Sequence, residues 1–336
     1  ATLAAAAAAP ALLAPRAAAA QQLLAVDTRL NRVVTLSATD GAVLNASFIV
    51  DANNPLTYDF QTPRAAIQVH DQIWVSDQSP SINAIYRFDL GGNFLGRIGG
   101  PNGGLSNVRG LRFVNGTVYV ANAGDTQGAP GPSIVRISPT GTILGSFSTV
   151  VGQTIGAQPW DVMAFGDGLL VSDGQSRALQ RFALDGTYLG ALTGEINNIP
   201  QQMALAANGN ILLAANGSQP QGSFGTYEIN PTTGAVVRQW TGTPALGSRG
   251  VAQLGNGRYL IAESGGASTT RGLGTIDPNG PASPNNFTLI QGLWNGGWIS
   301  PFTGPTQVVP EPSTWAMLGA GLLTTGVVAA RRRRII

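Results

Sequence analysis

Three arginines and two tryptophans open short, similar strings along this chain, and their side chains have chemistry to offer. The strings are "PRAA" at Arg64, "VRGL" at Arg109, "PWDV" at Trp160, "SRGV" at Arg249 and "GGWI" at Trp298, with "PQQM" at Gln201 as a sixth. A guanidinium fork grips carboxylate or phosphate through paired N–H bonds, and an indole face suits a sugar ring or a cation. Brought together, these side chains would make a funnel for an anionic ligand or a glycan. The competing use is structural, with each Arg paired to a nearby Asp at a junction between repeats. A second series is acidic or amide: Asp77, Asn122, Asp173, Asn216 and Glu263. Oxygens of this kind hold divalent cations such as calcium. An Asp that recurs at one point of a repeat, however, usually bonds the backbone of its own turn, so no metal and no other cofactor is expected.

Other chemistries lack parts. There is no cysteine, which removes disulfides, thiol nucleophiles and Cys-bound zinc or iron–sulfur centres. His70 is the single histidine, and "QVHDQIW" puts it in a turn at the far end from the arginines, so no catalytic residue is assigned. Charge is sparse, at 11% of residues. From Gln21 to Val309 there are 14 Arg against 16 Asp and Glu, so the body lacks the basic surface that nucleic-acid binding needs.

The elements that position these side chains come from a repeat. "LLAVD" ends at Asp27, "IWVSD" at Asp77, "VYVAN" at Asn122, "LLVSD" at Asp173, "LLAAN" at Asn216 and "YLIAES" at Ser264, at spacings of 43 to 51 residues. Tight-turn signals flank these anchors, among them Asn115-Gly116, Asn208-Gly209 and Asn256-Gly257 before, and Asp40-Gly41, Asp185-Gly186 and Asn279-Gly280 after. Asn-Gly and Asp-Gly supply the positive φ of hairpin turns. A 40 to 50-residue period built only of strands and turns predicts propeller blades. The second repeat reads as four strands, "RAAIQV", "QIWVSD", "IYRFDL" and "NFLGRI". The first repeat lacks its opening strand, and "NGGWISPF" (295–302) is left over after the last. The expected fold is therefore all-β: a six-bladed propeller over 21–303, with three N-terminal strands and one C-terminal strand in the first blade, leaving no open edge.

Both ends differ from this body. "ATLAAAAAAPALLAPRAAAAQQ" reads as the latter part of a secretory signal over 1–20, with a small-x-small cleavage site near Ala18-Ala19-Ala20. A linker over 304–313 holds Pro310, Glu311 and Pro312, and the segment 314–336 follows. Within it Trp315 to Ala330 carries no charge and Arg331, Arg332, Arg333 and Arg334 end the run. Sixteen helical residues span about 24 Å against a hydrocarbon core of about 30 Å, and snorkelling Arg with an interfacial Trp makes up the difference. A single transmembrane helix is expected, its arginines stopping transfer on the cytoplasmic side.

Two resemblances follow. The body resembles the NHL-type six-bladed propellers in period and turn pattern. That resemblance implies that the inner strands start, and the anchors end, on one face, so that Arg64, Arg109, Trp160, Arg249 and Trp298 would ring the mouth of the central channel. It also supplies an enzymatic alternative, since lactonase- and lyase-type propellers hold a metal near the axis. Pro310-Glu311-Pro312, a short apolar helix and a terminal Arg cluster, in that order, resemble the PEP-CTERM sorting tail. This implies an exosortase-type membrane protease as partner, in Gram-negative bacteria that make extracellular polysaccharide. The expected protein is exported, held in the inner membrane facing the periplasm as a precursor, then sorted to the cell surface or matrix. There it would act as a binding module for anionic polysaccharide or a surface protein. The further alternative is an uncut tail that anchors a subunit of a periplasmic complex.

Overall fold

The computed structural model describes residues 22–304 apart from 53–56, 153–157, 197, 218–224, 242–246, 265–271, 283–285 and 293. The signal-like leader, most of the linker, and the apolar segment with its arginines lie outside the described residues. The described residues all fall in one compact unit, which ends at Gly304. Among the described residues no helix is long and apolar enough to cross a membrane.

Six antiparallel four-stranded sheets carry the regular structure of the described residues. Blade 1 is ordered Gly296–Phe302, Gln22–Asp27, Arg32–Ser37, Val43–Val50. The C-terminal strand thus completes the N-terminal blade, in the register Gln22↔Phe302, Leu24↔Ser300 and Asp27↔Gly296. Blades 2 to 6 begin with Pro63–Val69, Val108–Val114, Pro159–Phe165, Ile199–Leu205 and Ser248–Gln253. Each of these inner strands packs on the next, and Ser248–Gln253 packs on Gly296–Phe302. The ring is closed as the period predicted.

Local chemistry explains the strands. The second strand of a blade is covered on both faces by neighbouring blades, so it reads as an apolar run instead of an alternating one. Gly168–Asp173 is buried at every residue. Outermost strands alternate, and Leu95, Leu144, Leu189 and Val237 stand exposed on them. The turns follow the sequence with one refinement. At Asn115-Gly116 both residues have positive φ, the two-residue hairpin form. At Asn208-Gly209 and Asn256-Gly257 only the glycine does.

The buried apolar residues form six clusters, one at each junction between blades. Ala65, Trp74, Leu111 and Val120 fill the junction of blades 2 and 3. Leu24, Ile49, Ile73 and Phe88 fill that of blades 1 and 2. Side chains of the closing strand enter three clusters: Trp298 at blades 2 and 3, Ile299 at blades 1 and 6, and Phe302 at blades 1 and 2. The core is therefore a set of wedges, and each blade is stable only between two others.

Candidate functional site

The anchors end level with the starts of the inner strands, as the registers Pro63↔Asp77, Val108↔Asn122, Pro159↔Asp173 and Ser248↔Glu263 show. One residue further along the inner strands stand Arg64, Arg109, Trp160 and Arg249, on one face of the ring. Trp298 and Gln201 sit a residue deeper, and both are buried. Trp298 does not join the arginines: it is buried in the cluster at blades 2 and 3, with its indole near the Asp161 carboxylate.

The anchors hold loops. Asp77 accepts the backbone N–H groups of Gln61 (2.8 Å), Thr62 (3.1 Å) and Ser79 (2.9 Å). Asp173 accepts those of Gln158 (3.0 Å), Gln175 (3.2 Å) and Ser176 (2.9 Å). Asn122 accepts from Ser106 N and donates to Gly124 O and Gly131 O, fastening both ends of the long loop Ala123–Ser133. Asn216 accepts from Gly217 N, and Glu263 is buried at the same level. Carboxylates wrapped in N–H donors offer little to a cation. Among the described residues no three His, Asp or Glu side chains come together as a metal cluster.

The three arginines differ in how they are engaged. Arg109 is held at two nitrogens and one face: Nε to Asn107 Oδ1 (3.3 Å), Nη1 to Pro159 O (3.0 Å), and its guanidinium 3.7 Å from the centre of the Trp160 ring. That face of the indole is taken by a cation of this chain and is not open to a sugar. Arg64 donates Nε to Gln78 Oε1, and Gln78 Nε2 continues to Asn107 Oδ1 at 2.6 Å. Its Nη1 is buried with no hydrogen-bond partner. Arg249 is partly buried and gives Nη1 to Asn295 Oδ1 at 3.0 Å. Burial first, then the charges of Arg249 and Arg109, push the Arg64 guanidinium down to about 9. Burial likewise brings Arg109 down to about 9 and lowers Arg249. All three remain cationic at neutral pH. The salt bridges among the described residues are Arg32–Asp27 and Arg177–Glu195. The mouth arginines are not among them, but Asp77 acts on Arg64 and Asp173 on Arg109 from beyond salt-bridge distance.

Below the mouth lies a polar layer that the sequence did not announce. Asp161 is fully buried on the inner strand of blade 4, and its Oδ2 accepts Met203 N of blade 5 at 2.9 Å. The buried indole of Trp298 approaches it from blade 1, which lies opposite. Gly110 makes the room, since a methyl there would overlap the Asp161 carboxylate. Arg112 spans from blade 3 to Val162 O (3.4 Å) and Met203 O (3.1 Å). Gln202 accepts from Val251 N (3.0 Å) and Ile299 N (2.9 Å) and donates to Ile299 O. These side chains tie five blades together across the axis. The mouth is backed by a floor.

Burial raises the Asp161 carboxyl from 3.8 to about 6, against the lowering effects of Arg112 and of its hydrogen bonds. The folded pKa exceeds the ordinary one, so the folded state holds the proton more tightly. The charge therefore costs stability above pH 6, and that cost fades as pH falls toward 4. At about 1.4 kcal/mol per unit it amounts to about 3 kcal/mol. Asp161→Asn removes this component. The unfolding free energy of the variant relative to the parent should then rise by about 3 kcal/mol from pH 4 to pH 7. Chemical denaturation at several pH values reads it, and a constant difference would mean an ordinary carboxyl.

A PEP-CTERM protein-sorting motif matches residues 308–334. A protein of unknown function from Bacteroides caccae superposes with a TM-score of 0.59 at 15% identity, over 84% of this chain and 98% of that one. A chain of the nidogen–laminin complex gives 0.59 at 13% identity, over 85% and 100%. A gluconolactonase candidate gives 0.51 at 15% identity, over 73% and 82%. At such identities the likeness is one of fold. No curated protein matches the chain. The protein is an all-β six-bladed propeller that carries a PEP-CTERM sorting motif. That motif implies processing by an exosortase, a membrane protease, and hence an exported precursor sorted to the cell surface.

Proposed function

We propose that the propeller is a non-enzymatic binding module of the cell surface or extracellular matrix that takes an anionic polysaccharide at its arginine face. The observation that carries this reading is the set of three cations, Arg64, Arg109 and Arg249, at one mouth, none within salt-bridge distance of a described carboxylate, with Asp77 and Asp173 acting on Arg64 and Arg109 only from further off. Burying a charge whose counter-charge is not in direct contact is costly, and an anionic ligand relieves that cost. A polysaccharide is favoured over a protein partner by what the surface lacks. No Phe, Tyr or Trp side chain is more than partly exposed among the described residues, whereas protein interfaces concentrate their energy in such side chains. The engagement of Asp77 and Asp173 by backbone N–H groups supports binding over metal-assisted catalysis.

The test replaces Arg64, Arg109 and Arg249 together by Gln and measures retention on immobilised alginate from low to high salt. A charge-assisted hydrogen bond contributes about 1.5–3 kcal/mol, so affinity should fall at least tenfold. Binding by the parent should weaken as salt rises. Arg249→Gln alone, at the partly exposed position, covers the case in which the triple variant does not fold. Equal retention of a folded variant and the parent overturns the reading.

A further inference from the structure

Resting on that reading, we propose that the group recognised at the mouth is a single carboxylate of an acidic sugar, held between Arg64 and Arg249, with Arg109 as a positioning residue. The three arginines are not equivalent. Arg109 has Nε on Asn107, Nη1 on Pro159 O and its face against Trp160, so it is the most firmly fixed of the three. Its bond to Asn107, and that of Gln78 to Asn107, link it to the side chain that orients Arg64. Arg64 keeps a buried Nη1 with no partner. Arg249 uses one nitrogen on Asn295 and donates to no other described residue. Arg64 and Arg249 are thus the less firmly fixed cations, with N–H groups to spare.

The shape of the anion follows from what else is in reach. Tetrahedral sulfate and phosphate groups are typically seated in nests of backbone N–H groups or at helix N-termini. Here the N–H groups of Gln61, Thr62 and Ser79 are spent on Asp77, and those of Gln158, Gln175 and Ser176 on Asp173. No helix is described. Two guanidiniums without a nest suit a flat, two-oxygen anion. Beneath the mouth Asp161, Arg112 and Gln202 are bonded from blade to blade across the axis. On this reading a polymer lies across the mouth and lowers one carboxylate into it.

The test measures binding of polygalacturonate, its methyl-esterified form, dextran sulfate and polyglutamate to the full propeller at one ionic strength. Esterification should weaken binding at least tenfold, and dextran sulfate and polyglutamate should bind at least tenfold more weakly than polygalacturonate. Arg64→Lys and Arg249→Gln should each lower polygalacturonate affinity tenfold or more. Arg109→Lys, which keeps a cation on Trp160 but loses the bond to Asn107, should lower it by less than Arg64→Lys does. Should Arg64→Lys fail to fold, Arg249→Gln carries the test. Dextran sulfate binding as tightly as polygalacturonate overturns the carboxylate assignment and leaves the anionic-polysaccharide reading standing. Tight polyglutamate binding points instead to an acidic protein partner. No binding to any of the polyanions overturns both.

Discussion

Deleting residues 295–302 should abolish cooperative unfolding of the propeller. The segment is one strand of twenty-four, yet its side chains enter three of the six junction clusters described. Trp298, Ile299 and Phe302 are at most 2% exposed. Truncating buried residues of these types costs about 3, 2 and 3 kcal/mol at the low end. That total already lies within the 5–15 kcal/mol that holds a typical domain together. The deletion also frees the backbone edge of Gln22–Asp27 and removes the partner of Gln202 across the axis. Calorimetry of the deletion variant should show a broad, weak transition or none. A sharp transition near the parental temperature would mean that five blades and a fragment suffice.

The second large effect concerns the tail. Moving an Arg to the centre of a bilayer costs about 2.5–3.5 kcal/mol on insertion scales, so Arg331 to Arg334 together oppose passage by about 10 kcal/mol. Replacing all four by Ser should release chain from the membrane while the propeller melts as before. Pro310→Ala combined with Glu311→Ala should leave insertion intact and stop processing, so full-length chain should accumulate in the membrane. Intact-mass measurement of the surface fraction separates sorting from anchoring. Surface protein that still carries residues 313–336 would make the tail an anchor.

The sequence was informative where the physics is periodic. Second strands buried on both faces announce themselves as apolar runs such as "LLVSD", and the turns between strands need a small set of residues. Blade number and closure by "NGGWISPF" follow from those signals, whereas the common level of the anchors was implied by the resemblance to NHL-type propellers. The site was read less well, for a local reason. Pairing of each inner strand with its neighbour shifts near the mouth, for example between Pro63 and Ala66, Val108 and Leu111, and Ser248 and Gly250. A bulge changes which side chains share a face, and no residue type marks it in advance. Counting from the start of "GGWI" therefore put Trp298 among the arginines, whereas it lies one level down against Asp161. Asp161 itself passed unnoticed inside "PWDV", because its partners come from strands some 40 to 140 residues away in the chain. Trp160 was found, but only the folded chain shows Arg109 on its face.

The direction of the closing strand has a mechanical meaning. It enters at the arginine face with Gly296 and leaves at the opposite one, where Thr303 donates N–H and Oγ1–H to Gln68 Oε1 at 2.9 Å. Any drag on the chain beyond Gly304 is thus delivered along the axis of an inner strand. Antiparallel hydrogen bonds run perpendicular to their strands. Tension of this kind loads the bonds to Gln22–Asp27 side by side in shear, and does not peel them one after another. Gln202, gripping both N and O of Ile299 from blade 5, acts as a cleat partway along. A module tethered at this end, even briefly, can be tugged by flow or by a swelling matrix without its ring being unpicked strand by strand.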